Sequence, residues 1–309
     1  MTKYILSIDG GGIRGIIPAM ILSEIEQKTN KPISQIFDLM AGTSTGGIIV
    51  AGLGKKSYQG ELQYSASDLV DLYQGYGKYI FKSSFLRRSI FSWLNGAQYS
   101  HKNIEDILDI YFGATILADV SSNLLLTSYD IYNNCPFFFK SWKEDRNFIK
   151  LKDALRATTA APTYFPPKYL KVGETERVLI DGGVFANNPA ACAYANGKKL
   201  FPNDDIILLS IGTGRLTNSI KYANSRKFGK IGWIKPLINI MFASGLDCVN
   251  YQLEQVIDDK YLRIQSQLTV ASPEMDNAAP QNIKCLKKEV EMMIECNQKA
   301  IDKFCTIVS

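Results

Sequence analysis

Residues 36–47 read IFDLMAGTSTGG, a short apolar run followed by Gly42-Thr43-Ser44-Thr45-Gly46 and then by the helix-like IIVAGLG. The spacing predicts a buried strand that passes through a tight turn into a helix. In such a G-x-S-x-G turn the small neighbours let an exposed serine sit on strained backbone. The free N–H groups at the start of the following helix favour a developing negative charge beside it.

Working outward, the same rhythm recurs. KYILSID leads through a glycine turn into GIIPAMILSEIEQK, whose apolar residues fall at helical spacing. Further strands are expected at NLLLTSYD, FFFKSW, RVLID and DDIILLSIG, each bounded by turn residues. Helices are expected at 66–78, 102–112, 151–158, 189–199 and 281–304. Alternating strands and helices predict an α/β fold with a parallel or mixed sheet covered by helices. No repeat, low-complexity tract or linker interrupts the chain, so residues 1–309 are read as a single domain, with the core motifs over 5–214 and a helical C-terminal part over 236–305.

With 309 residues, 46% of them apolar and 21% charged, the chain has enough material for a large core and is neither disordered nor fibrous. A net charge of +5 is too weak to argue for nucleic acid. The N-terminus MTKYILSIDGGG is broken too early by Asp9 and glycines to form a signal-peptide core, and no window approaches a membrane span. A soluble, cytoplasmic protein is expected, with export by a machinery that needs no such signal left open. The six cysteines contain no C-x-x-C pair, and with a single histidine they form no zinc framework, so they are read as small hydrophobes.

If Ser44 is a nucleophile, a base must take its proton. His101 is the usual residue type, but in YSHKNIEDIL it stands at the exposed start of a helix and is read as a surface or capping residue. Asp181, in LIDGGVFANNPA, ends a strand and precedes Gly182 and Gly183, so another group can approach it closely. Partial desolvation would raise its basicity, which makes a Ser-Asp dyad chemically workable. A second glycine turn, SIDGGGIRG, offers the N–H groups of Gly10, Gly11 and Gly12 as an oxyanion hole, with Arg14 adding positive charge or bracing the loop through Asp9. Gly10, Gly12 and Gly15 also satisfy G-x-G-x-x-G. A dinucleotide site would need an acidic residue closing a second strand ~20 positions on, and a helix stands there instead.

Together DGGGIRG, GTSTG and DGG resemble, in order and spacing, the patatin-like phospholipase family. The likeness continues through ALRATTAAPTYFPP (154–167), DGGVFANNPA and LLSIGTG (208–214). It implies a three-layer α/β/α sandwich with a central mixed, mostly parallel sheet. The implied activity is hydrolysis of acyl esters in phospholipids or lysophospholipids, without calcium or another cofactor. Carried over by position, Ser44 is the nucleophile, Asp181 the general base, Gly10, Gly11, Gly12 and Arg14 the oxyanion loop, and Gly15, Gly42, Gly46, Gly182 and Gly183 the supporting glycines. An acyltransferase using the same acyl-enzyme and a non-catalytic lipid-binding module are the competing readings. The stretch RATTAAPTYFPP suits an apolar wall beside the site, and equally the core below it.

Two stretches, 72–104 and 206–246, lack acidic residues entirely. The first mixes Lys78, Lys82, Arg87, Arg88 and Lys102 with Tyr79, Phe81, Phe85, Phe91 and Trp93; the second sets Lys221, Arg226, Lys227, Lys230 and Lys235 around WIKPLINIMF. Either is suited to an anionic membrane surface at the mouth of a pocket, or is a cationic surface over buried aromatics. A homo-oligomer or a regulatory activator is left open.

Overall fold

The computed structural model describes residues 1–82, 96–215 and 220–308. Strand β1 (Thr2–Ile8) runs through a 3-10 turn at Gly12–Gly15 into helix α1 (Ile16–Thr29), and β2 (Leu39–Gly42) runs into α2 (Thr45–Gly54). Helices α3 (Ala66–Ile80) and α4 (His101–Phe112) follow, the first closed by a capping box between Ser65 and Asp68. The hairpin β3 (Asn123–Asp130) and β4 (Cys135–Lys140) leads to α5 (Leu151–Thr158), β5 (Lys168–Val172) and β6 (Thr175–Asp181). Then come the single turn α6 (Gly183–Ala186), α7 (Ala190–Leu200), β7 (Asp205–Ile211), α8 (Lys230–Ile257), β8 (Tyr261–Ile264) and α9 (Pro280–Val308).

Among the described residues the strands form one eight-stranded mixed sheet. Its parallel part is ordered β3-β2-β1-β7-β8, while β4 and β6 pair antiparallel to β3, and β5 to β6. Successive side chains of a strand point to opposite faces, and the core divides accordingly. Leu6, Ile8, Met40, Leu124, Leu126, Leu209 and Ile211 pack with residues of α1, α2, α3, α5 and α9. Ile5, Leu39, Ala41, Leu125, Ile206 and Leu208 pack with Ala190 and Ala193 of α7 and Leu253 of α8. Strands buried on both faces between two helical layers make the three-layer α/β/α sandwich that the resemblance implied.

Strand β8 departs from the expected helical C-terminal part: Tyr261–Ile264 pairs parallel with Leu208–Ile211. Four residues are too few to display a strand period, and YLRI sits between a long helix and a polar stretch. Helix α8 falls largely within the helical part expected from residue 236, but it starts earlier, at Lys230, so that Pro236 lies inside it. The cysteines are not uniformly core residues: Cys305 is buried, but Cys248 and Cys296 are exposed. No described helix is long and apolar enough to cross a membrane.

Candidate active site

The C-terminal ends of β1, β2 and β7 lie at one end of the sheet, where parallel α/β sheets hold their ligands. At Leu125 and Leu126, β3 has β4 on one edge and β2 on the other; at Ser128, Tyr129 and Asp130 it has β4 on one edge and β6 on the other. Strands β2 and β6 therefore share one edge of β3 and converge on it from opposite directions. Gly42 is paired with Leu126 and Asp181 with Ser128, leaving only Thr127 between them. The turn after β2 and the last residue of β6 are thereby brought together.

Ser44 occupies that turn with φ 54° and ψ −121°, a left-handed conformation costly for a residue with a side chain, and stands as the N-cap of α2. Its N–H donates to Thr158 Oγ1 at 2.9 Å. Thr43, one residue earlier, is tied to Thr127 Oγ1 at 2.7 Å and to the Ala186 carbonyl at 2.6 Å. Gly46 lets α2 approach β1: a Cβ there would lie 2.2 Å from the Ile8 carbonyl oxygen. Gly42 packs within the same turn, against the Gly46 backbone.

Asp181 is 2% exposed. Its N–H donates to the Ala160 carbonyl at 3.0 Å, and its Oδ1 accepts from the Gly183 N–H at 2.7 Å. Burial pushes its pKa up to about 7, opposed by the neighbouring Ser44 side chain and the Gly183 N–H. Gly182 lies against Thr127 with no room for a side chain.

The loop after β1 completes the site. Gly12 has φ 59°, and a Cβ on it would lie 2.1 Å from the Met275 carbonyl oxygen. The Gly10 N–H is engaged by the Asn187 carbonyl at 3.0 Å, and Ile13 N–H by Met275 at 2.8 Å. The N–H groups of Gly11 and Gly12 have no partner among the described residues, and both glycines line a cavity together with Ser44 and Asp181. Arg14 is buried and binds the carbonyls of Gly11 (3.3 Å) and Gly214 (3.2 Å); burial lowers its pKa to about 10. It makes no hydrogen bond to Asp9, contrary to the expected brace. That carboxylate is held instead by Arg263 of β8, Nη1 to Oδ1 at 2.9 Å and Nη2 to Oδ2 at 2.5 Å. Gly15 lies further along, against Thr45 and Tyr73.

The cavity runs between apolar walls that include Ile48, Ile80, Phe81, Phe165, Phe242 and Met275. Tyr164 and Phe165, from the stretch with two readings, both face it. His101 does not line it; it is exposed at the start of α4, 4.0 Å from Glu105. Arg263 and Met275 come from beyond the glycine motifs and leave no signal in the sequence, whereas Phe242 ends WIKPLINIMF, and Thr213, which donates to the Gly10 carbonyl at 2.8 Å, lies inside SIGTG.

Comparison with known proteins agrees with the motifs. The family model of the patatin-like phospholipase matches residues 6–194. Patatin-like protein 1 of Arabidopsis thaliana is 31% identical over 94% of this chain and 81% of its own. Patatin-2-Kuras 3 of Solanum tuberosum is 30% identical over 99% of this chain and 89% of its own. Among solved structures, VipD from Legionella pneumophila aligns over 94% of this chain and 67% of its own, at 11% identity and a TM-score of 0.39. With its glycine turns matched by that family model, and relatives similar along nearly its whole length, the chain belongs to the patatin-like phospholipase family, a family of lipid acyl hydrolases.

Proposed function

We propose that the whole chain acts as one catalytic unit that cleaves fatty acyl esters of phospholipids or lysophospholipids through a Ser44 acyl-enzyme, with Asp181 as general base. The observation that carries this reading is that Ser44 and the buried Asp181 line one cavity, with the Ser44 side chain close enough to influence a carboxylate whose pKa is raised to about 7. A base poised near the working pH combines a usable ionised fraction with a real driving force for proton transfer. Ser44 Oγ attacks the ester carbonyl as its proton passes to Asp181, and the carbonyl oxygen becomes an oxyanion facing the N–H groups of Gly11 and Gly12. Gly10, whose N–H is occupied, shapes the loop instead of donating. Each such donor is typically worth about 3 kcal/mol in the transition state. On collapse the alcohol leaves with the proton held by Asp181; water then attacks the acyl-enzyme, again losing its proton to Asp181, which returns it to Ser44 Oγ as the fatty acid departs. The apolar cavity suits the acyl chain.

A fluorophosphonate probe should label wild type at Ser44 and leave Ser44→Ala unlabelled. Hydrolysis of phospholipid in mixed micelles should fall by at least about a thousandfold in Ser44→Ala. Retention of near-normal esterase activity by the folded variant would defeat the reading.

The first half of α8 supports work at a membrane surface. Ile231, Trp233, Ile234 and Leu237 are exposed, with Lys221, Arg226, Lys227 and Lys230 exposed beside them. Apolar side chains mixed with cations suit the boundary of an anionic bilayer, and Phe242 of the same helix reaches the cavity wall. In the other acid-free segment Arg87, Arg88, Phe85, Phe91 and Trp93 lie outside the described residues. Lys227→Glu with Lys230→Glu should release the protein from phosphatidylglycerol vesicles in a sedimentation assay, and unchanged binding would remove α8 from the interface.

A further inference from the structure

A second compartment adjoins the catalytic cavity; Tyr164, Asn187, Phe242 and Met275 line both. Its walls are of a different character. Thr213, Asn239, Arg215, Asp247 and Glu274 bring hydroxyl, amide and charged groups of both signs to one space, where the catalytic cavity is almost wholly apolar. Arg215 and Asp247 pair with each other at 2.6 Å and are about half exposed, 52% and 46%. An exposed pair of this kind is weakly held, so a ligand that offers one charge to each partner can take its place.

Resting on the hydrolase reading above, we propose that this compartment receives the polar head of the lipid, and that Arg215 and Asp247 select a zwitterionic headgroup, a phosphodiester joined to an amine. The scissile ester and the headgroup of a glycerolipid are separated by a few bonds, which matches two spaces that share a wall. The phosphodiester oxygens accept from the Arg215 guanidinium, and the ammonium group meets the Asp247 carboxylate. Arg14 also lines this space but is held by the carbonyls of Gly11 and Gly214, so a purely anionic head meets Arg215 while leaving Asp247 without a cation, and is disfavoured.

The test compares initial rates on phosphatidylethanolamine and phosphatidylglycerol of identical acyl chains in neutral detergent micelles. Wild type should prefer the former by roughly fivefold, the upper end of what one exposed charge pair supplies. Asp247→Asn should bring the ratio near unity, Asp247→Glu should restore the preference, and Arg215→Gln should slow both phospholipids. Titration calorimetry with the dihexanoyl forms of both lipids on Ser44→Ala reads the same preference without turnover. Hydrolysis with rate and binding ratios unmoved by Asp247→Asn would overturn the headgroup assignment alone. Headgroup-dependent binding that responds to Asp247→Asn, in a wild type that hydrolyses neither lipid, would overturn the hydrolase reading and keep this one.

Discussion

Asp181 is a buried acid that the fold holds against its own preference. The unfolded chain releases this proton at an ordinary carboxylate pKa of 3.8, whereas the folded site keeps it up to about 7. Between those values the native state binds the extra proton, so stability falls as pH rises and stays reduced above the higher one. Asp181→Asn, which still accepts from Gly183, should therefore melt above wild type near pH 8, by an amount corresponding to as much as about 4 kcal/mol, and the difference should vanish near pH 4. The same variant should lose hydrolysis, and the wild-type rate should climb with pH through about 7 as the base ionises. Equal melting of the two proteins at both pH values would show that the carboxylate is not desolvated. At Gly46 the constraint is steric. Because the neighbour of an added Cβ is the Ile8 carbonyl, which is backbone and cannot swing aside, Gly46→Ala should lower stability by about 3 kcal/mol, read as a fall in denaturation midpoint.

Strand β8 contributes four residues to the sheet edge, yet one of them holds Asp9 at the start of the glycine loop after β1. Burial alone would lower the Arg263 pKa, but Asp9 beside it pushes it up, and the pair stands as an ion pair with two hydrogen bonds. Arg263→Met leaves the Asp9 charge buried without its partner and should cost about 3 kcal/mol; adding Asp9→Asn should recover part of it. Additive losses in a double-mutant cycle would show that the two do not act as a unit. What the sequence revealed divides along the same line. The elements with regular periodicity and turn residues at both ends were legible almost to the residue: NLLLTSYD is β3 and 151–158 is α5. Strands β5 and β8 are too short for a period, and Pro236 conceals that α8 already starts at Lys230. Within the site, Ser44 and Asp181 announce themselves through glycines, because close approach leaves a compositional trace. Arg263 leaves none, since an arginine that pairs across the fold looks like any other in a short apolar run.

On the scale of the whole molecule, the sheet binds the part matched by the family model to the part that follows it. Strand β1 is paired along its full length with β7, and α9 packs its Leu286, Val290, Met293 and Phe304 into the core beneath α1. A fragment of residues 1–200 would expose one edge of β1 and a face of that core. It should therefore fail to give a cooperative thermal transition, whereas a cooperatively folding fragment would show that the later elements are accessory. The convergence of β2 and β6 on a single edge of β3 also has a consequence for how such an enzyme can vary. The separation of the proposed nucleophile and base is measured along a third strand, with Thr127 as the only graduation between them. The exposed turns at 58–61 and 173–174 can grow or shrink without touching that ruler. Loss of one residue from β3 would slide one arm past the other by about 3.3 Å and turn the side chains beyond the deletion to the opposite face. Chimeras that exchange those turns between relatives are then expected to keep their chemistry, and single-residue deletions in β3 to lose it while still binding lipid.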